Sequence, residues 1–252
     1  MIGIIGRIDP DESMFDGQTV KTRTVWRLMV EHYGADSVVA VDTLDYSKRP
    51  FKVAKDLIRC LFICQDIVVL LSRGGRKAIF PVLSLAVRIC GKNVYHSLIG
   101  GWLGRDIDED KKGKLVKYLN SFQVNWVETR ELVDELSDKG VRNVAFLPNF
   151  KTIAPTSRLP EEVLHSPARF CTFSRVQERK GISNAIRSVE AVNAQQGRKV
   201  AVLDVYGPVD DDYKTRFEEL LRVSPSSTYK GCVKAEESVA VLSMYDALLF
   251  PT

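Results

Sequence analysis

The sequence has few of the residues and patterns that announce a common chemistry. Histidine occurs three times in 252 residues, as His32, His96 and His165, and no two have metal-ligand spacing. No G-x-G-x-x-G follows the first apolar run, because Gly3 and Gly6 lie inside it, so the usual nicotinamide dehydrogenase fingerprint is missing. There is no P-loop and no G-x-S-x-G elbow. Long apolar runs are also missing: the longest, 67–71 and 78–87, are too short to span a bilayer. Met1 leads straight into an apolar strand pattern rather than a signal peptide, which reads as a cytoplasmic protein. The five cysteines form no disulfide framework, as a reducing compartment predicts, and Cys60 and Cys64 read as a buried apolar pair on one helix face. A net charge of +4 is too mild to imply nucleic acid.

What the sequence does have is a repeated alternation of short, wholly apolar runs with amphipathic stretches. Apolar runs of this kind predict parallel strands covered on both faces. Strands are expected over 2–8, 37–41, 66–72, 93–98, 124–129 and 144–147. Helices are expected over 18–32, 50–64, 77–90, 108–122 and 131–138. Gly74-Gly75 reads as a turn, and Pro81 as a residue of the first turns that follow it. The stretch 151–168 breaks the rhythm with Pro155, Pro160 and Pro167 and reads as a linker. The alternation then resumes with strands over 170–173, 200–206, 228–233 and 247–251. The helix after the first of these is expected to be capped by Ser183, with Ile182, Ala185, Ile186, Val189 and Val192 on one face. The fold class is therefore α/β, with two Rossmann-like doubly wound domains at 1–150 and 169–252.

In such domains ligands bind at the C-terminal ends of the strands, so the loops there carry the candidates. Arg175 and Lys180 lie between a strand and a helix. The pair suits a phosphate clamp or a solvated polar turn. Gly17 precedes the first helix, where it either admits a ligand or makes a turn. His96 ends a strand and is either structural or a hydrogen-bonding partner for a sugar. The run Asp106, Asp108, Glu109, Asp110 reads as a solvated helix N-terminus. Between Tyr46 and Lys92 ten Lys/Arg meet two acids, interleaved with apolar residues of a helix. That pattern fits a solvated basic face or a surface for anionic lipid.

Taken together, the segments Tyr95–Leu103, Trp126–Thr129, Asn143–Phe150, Ser174-Arg175-Val176 with Lys180-Gly181, Tyr206–Pro208, Tyr229–Gly231 and Ala247–Thr252 carry a likeness in their order and spacing. They resemble a family 4 retaining glycosyltransferase of the GT-B fold, of the kind found in bacterial capsule and surface-polysaccharide clusters. The resemblance implies transfer of a sugar from a UDP- or GDP-linked donor to a glycan or lipid-linked acceptor. No metal or cofactor is implied beyond that donor. Arg175 and Lys180 would hold the donor diphosphate, with Gly17 backbone nearby. Gly207, Gly231 and Val233 would line the nucleotide, and His96 would face the sugar. The basic region 48–92 would rest on the inner face of the cell membrane. The family places two glutamates, eight residues apart, just after a strand ending like Phe250-Pro251-Thr252. None follows here, so the second domain is expected to be incomplete. The alternative to an enzyme is a non-catalytic homologue that binds a nucleotide sugar or a partner.

Overall fold

The computed structural model describes residues 1–12, 14, 16–150, 165–234 and 237–251. The chain divides into two compact units, Met1–Thr152 and Ile153–Thr252. The proline-rich segment 151–168 falls largely outside the described residues.

The first unit follows the alternation closely. Its strands are β1 (Ile2–Gly6), β2 (Val38–Asp42), β3 (Asp66–Leu70), β4 (Asn93–Ser97), β5 (Val124–Val127) and β6 (Val144–Phe146). They form one parallel sheet in the order β2-β1-β3-β4-β5-β6. Strand order reverses between β1 and β3, so the C-terminal ends of those two strands open onto a crevice. The helices α1 (Gly17–Tyr33), α2 (Pro50–Ile63) and α3 (Arg73–Cys90) make the first three connections. Helices α2 and α3 pack on one face of the sheet, in a core that includes Ile5, Ile67, Val69, Phe80, Leu83 and Val94. Val25, Trp26 and Met29 of α1 pack on the other face, against Ile4, Ile8, Val68 and Leu70. Burying each such side chain stabilises by about 1.5–3 kcal/mol.

Cys60 and Cys64 are buried in the α2 interface. Gly3 makes the room: a Cβ there would lie 2.4 Å from Cys60 Sγ. Burial pushes the Cys60 thiol up to about 12.

Two local expectations are corrected. Helix α3 starts at Arg73 rather than 77, because Ser72 is extended enough to act as N-cap and the two glycines continue as helix, which leaves Pro81 well inside it. The single helix expected over 108–122 is two, α4 (Leu103–Glu109) and α5 (Lys114–Leu119). Gly113 lies in the left-handed region at φ 59°, and the Asp110 carboxylate accepts from the Leu115 N–H at 2.6 Å, so the chain is recapped between them. Thr129 ends β5 by accepting from the Leu132 N–H, which starts α6 (Arg130–Asp138).

The second unit has β7 (Ala168–Phe173), α7 (Ile182–Gln196), β8 (Ala201–Tyr206), α8 (Asp211–Arg222), β9 (Ser227–Gly231), α9 (Ser238–Leu242) and β10 (Ala247–Leu248). The parallel order is β10-β7-β8-β9, so the switch point falls between β7 and β10. Ile182, Ala185, Ile186 and Val189 of α7 join Leu203, Val205, Tyr213 and Phe217 in one core, while Val192, expected on the same face, is 44% exposed. Strand β10 is tied to β7 by Asp246. Its carboxylate accepts from the Arg169 N–H at 2.7 Å and from His165 Nδ1 at 2.8 Å, and these bonds hold it down to about 2.

Candidate functional site

The loop after β7 carries Arg175 and Lys180, and it is held from both sides. Val176 donates its N–H to Pro208 O at 2.9 Å and accepts from the Asp210 N–H at 3.1 Å, which fastens the first half to the loop after β8. Arg175 Nη1 then donates to Asp210 Oδ1 at 2.8 Å. The second half is one 3-10 turn, Glu178–Lys180, which closes on Gly181 at φ 67°. A Cβ on Gly181 would lie 1.9 Å from Pro251 O, so only glycine allows the segment after β10 to pack there. Lys180 Nζ stands 5.1 Å from the Phe250 ring centroid. The two cations thus face opposite neighbours: Arg175 the loop after β8, Lys180 the segment after β10, on either side of β7. Both remain accessible enough to exchange partners, Arg175 being 40% exposed in its side chain.

Helix α7 begins directly after this loop. Its expected cap is corrected: Gly181 holds the N-cap position, and Ser183 lies inside the first turn. Ser183 is buried instead in a polar cluster, where its hydroxyl donates to Glu178 Oε2 at 2.6 Å and meets Tyr213 Oη at 2.7 Å. The Ser183 hydrogen bond keeps Glu178 below the usual carboxylate range, whereas burial raises the Tyr213 phenol. No acidic residue occupies the first turn of α7, so the helix dipole there is not offset by the helix's own side chains.

Gly207 and Gly231 come together, the Gly207 N–H donating to Gly231 O at 2.9 Å. They differ in surroundings. Gly207 has φ 129°, and a Cβ there would meet Ser174 O at 1.9 Å, so close packing between strand ends accounts for this glycine. Gly231 has φ 82° with open space where a Cβ would be. Val233 lies past the end of β9 and is half-buried.

In the first unit, Gly17 is the first residue of α1, whose N-cap Asp16 accepts from the Thr19 N–H at 3.1 Å. A Cβ on Gly17 would meet nothing within 4 Å. Beside it, a cavity of about 510 Å³ opens over the ends of β1, β2 and β3, lined by Arg7, Gln18, Thr43, Asp45, Ser47 and Ser72 among others, with Arg7 Nη2 3.6 Å from Asp16 Oδ2. It occupies the switch point of this sheet. Arg73, at the start of α3, is directed away from it: Nε pairs with Asp106 at 2.7 Å, and the guanidinium also meets Glu109. Asp106 is likewise corrected. It is buried rather than solvated, and Arg76 Nη2 donates to it at 2.6 Å.

His96 is the main correction. The reading of a strand-end histidine facing a sugar fails on burial, since the side chain is 0% exposed. Nδ1 meets Asn125 Oδ1 at 2.9 Å, and the ring packs edge-on against Phe80 at 5.1 Å. Burial pushes the imidazole down to about 3, so it stays neutral at physiological pH. The strand pleat decides this. Sequence position puts His96 near a strand end, but alternation turns it into the α3 face.

Sequence reasoning also missed Asp210, Phe250 and Arg7. Asp210 follows an expected strand by a few residues, which was a usable signal, whereas Arg7 falls inside the strand expected over 2–8. The stacking of Lys180 on Phe250 left none.

No protein-family model matches this chain, and no curated protein matches it in sequence. Its fold does match solved structures. It is similar to the lipopolysaccharide outer core galactosyltransferase WaaB in its apo form, with TM-score 0.59 and 12% identity over 100% of this chain and 74% of WaaB. It is similar to HepE of Anabaena in complex with UDP and glucose, with TM-score 0.61 and 12% identity over 99% and 73%. The third is an α,α-trehalose-phosphate synthase (UDP-forming) of Burkholderia xenovorans in complex with glucose-6-phosphate, with TM-score 0.58 and 13% identity over 96% and 76%. The chain therefore has the GT-B glycosyltransferase fold, and it spans about three quarters of each of these proteins.

Proposed function

We propose that this chain binds a nucleotide sugar at the β7/β10 switch point and belongs to a glycosyltransferase that works with retention in surface-polysaccharide synthesis. One observation carries the reading. Two cations, Arg175 and Lys180, stand on the loop at the C-terminal end of β7, directly before the N-terminus of α7, whose own first turn has no acidic residue although Glu178 of the loop bonds to Ser183 there. There they would hold a diphosphate and stabilise the charge that builds on the leaving nucleotide. The donor is UDP- or GDP-linked; a UDP donor has support from HepE, whose solved complex holds UDP and glucose. The chemistry needs no metal or other cofactor on this reading, because the two cations supply the positive charge. The acceptor is a glycan or a lipid-linked glycan, presented at the inner face of the cell membrane to the basic region 48–92. Gly231 and Val233 would line the nucleotide.

A second reading has one observation in its favour. With His96 enclosed in the core, the only candidates left for the donor are those that bind it, which suits a homologue that binds a nucleotide sugar without turnover. Calorimetric titration of UDP, GDP and their glucose and mannose conjugates tests the shared part. Arg175→Ala should weaken whichever nucleotide binds by tenfold or more; equal affinity in the variant rejects the clamp. Release of free UDP or GDP in the presence of a lipid-linked acceptor then separates enzyme from binder.

A further inference from the structure

Helices α2 and α3 border a second cavity, of about 270 Å³, on the outside of the first unit. Its lining includes Ile58, Leu61 and Phe62 of α2 and Val82, Leu85 and Ile89 of α3, with no charged or hydroxyl side chain. The strand-end cavity uses the same two helices, through Ala54 and Leu57 of α2 and Ala78 of α3. The positions 54 and 58, 57 and 61, and 78 and 82 are each one helical turn apart on one face. The two cavities are therefore consecutive along one seam, polar at the strand ends and wholly apolar further on. The outer part is unusually open for such residues: Phe62 is 81% exposed and Ile89 is 73% exposed. Lys52, Lys55, Arg59 and Lys77 stand exposed on the same two helices. Among the described residues no helix is long and apolar enough to cross a membrane.

We infer that this seam binds the hydrocarbon chain of an anionic amphiphile, with its phosphate head in the strand-end cavity beside Arg7 and its tail running between α2 and α3 toward Ile89. The inference rests on the proposed reading of a lipid-linked acceptor and adds where the lipid is held. Hydrocarbon is the occupant that matches an apolar lining, since it leaves no polar group unpaired there. The exposed cations of α2 and α3 favour an anionic head and the anionic bilayer from which it comes, and the head would have to take Arg7 from Asp16, 3.6 Å away, beside the Asp45 carboxylate of the same lining. They disfavour a second copy of this chain, which would bring like-charged rims together.

The test uses the whole chain and a fluorescent eighteen-carbon probe, cis-parinaric acid, displaced by dodecyl phosphate or dodecanol. One saturable site is expected, with dodecyl phosphate preferred. Leu85→Asp and Ile89→Asp change exposed side chains and should weaken the probe at least tenfold, with circular dichroism and UDP affinity unchanged. Arg7→Gln should reduce the preference for dodecyl phosphate over dodecanol at least threefold. Non-saturable uptake, equal binding by Ile89→Asp, or a dimer that Ile89→Asp dissociates and the probe does not enter would each overturn the inference. UDP affinity is read on the same samples. Loss of the chain site with UDP binding intact removes this inference alone, and loss of UDP binding with the chain site intact removes the donor reading alone.

Discussion

Arg175 Nη1 donates to Asp210 Oδ1 at 2.8 Å, so the residue best suited to grip a phosphate is already gripping a carboxylate of its own chain. The pair is partly exposed on both sides, 40% and 31%, and such pairs contribute only about 0.2–1 kcal/mol. A diphosphate offers more acceptor oxygens and more charge than one carboxylate, so it can displace Asp210. On the proposed clamp, Asp210 would compete for Arg175. Asp210→Asn should tighten UDP binding by roughly two- to fivefold, the affinity equivalent of an exposed pair. Asp210 makes no side-chain capping bond to α8, so the fold should tolerate the change. Weaker binding in Asp210→Asn, measured by calorimetry, would show that Asp210 supports the site rather than competes for it.

The buried His96 makes stability depend on pH. Its folded value is depressed to about 3, while an unfolded histidine titrates near about 6.5. Below the unfolded value the unfolded chain gains a proton that the folded chain refuses. The contribution is therefore fully present above about pH 6.5 and is lost as pH falls toward 3. The slope from this one group approaches about 1.4 kcal/mol per pH unit between pH 5 and 4. Urea unfolding of wild type and His96→Gln across that range should give a shallower dependence in the variant. Parallel curves would place the imidazole in contact with solvent.

Two glycines that look alike in the sequence should respond differently to alanine. At Gly207 the new Cβ would meet Ser174 O at 1.9 Å, and φ is 129°, so the strand ends must separate. Gly207→Ala is expected to cost about 4 kcal/mol or more, the range of severe strain and overpacking together. At Gly231 only the positive φ of 82° opposes alanine, and about 1–2 kcal/mol is expected. Denaturant midpoints of the two variants should differ accordingly; equal midpoints would contradict the packing at Gly207.

Asn193 holds the second unit together in a way its helical position conceals. Its Nδ2 donates to Ala201 O and Ser226 Oγ, both at 2.9 Å, and its Oδ1 accepts from the Val200 and Ala201 N–H groups at 2.8 and 2.9 Å. Four partners of one buried amide would lose their bonds in Asn193→Ala. A loss of about 2–5 kcal/mol is expected, because groups that stay buried are left unsatisfied. Thermal unfolding measures it. A change under about 0.5 kcal/mol would mean that water replaces the amide.

Most strands were legible as apolar runs, and most helices as amphipathic intervals, because period and composition are local properties of the chain. The break at Asp110–Gly113 was not read, since both flanks are helix-like and only a backbone turn at Gly113 divides them. Arg175 and Lys180 were legible as cations in a strand-to-helix loop. Asp210 as the partner of Arg175, and Phe250 beneath Lys180, were not, because each contact joins segments 35 or more residues apart.

The sequence by itself determined two parallel α/β units and put Arg175, Lys180 and Gly17 at the ends of strands, because strand and helix periods are written residue by residue. Only the tertiary structure decided which way side chains at those ends point. It turned His96 into the core by the pleat of β4 and closed Gly207 against Ser174. It left α2 and α3 with an apolar seam facing outward. Each of these depends on which strand lies next to which, and neighbour order is set by packing the whole sheet rather than by any one segment.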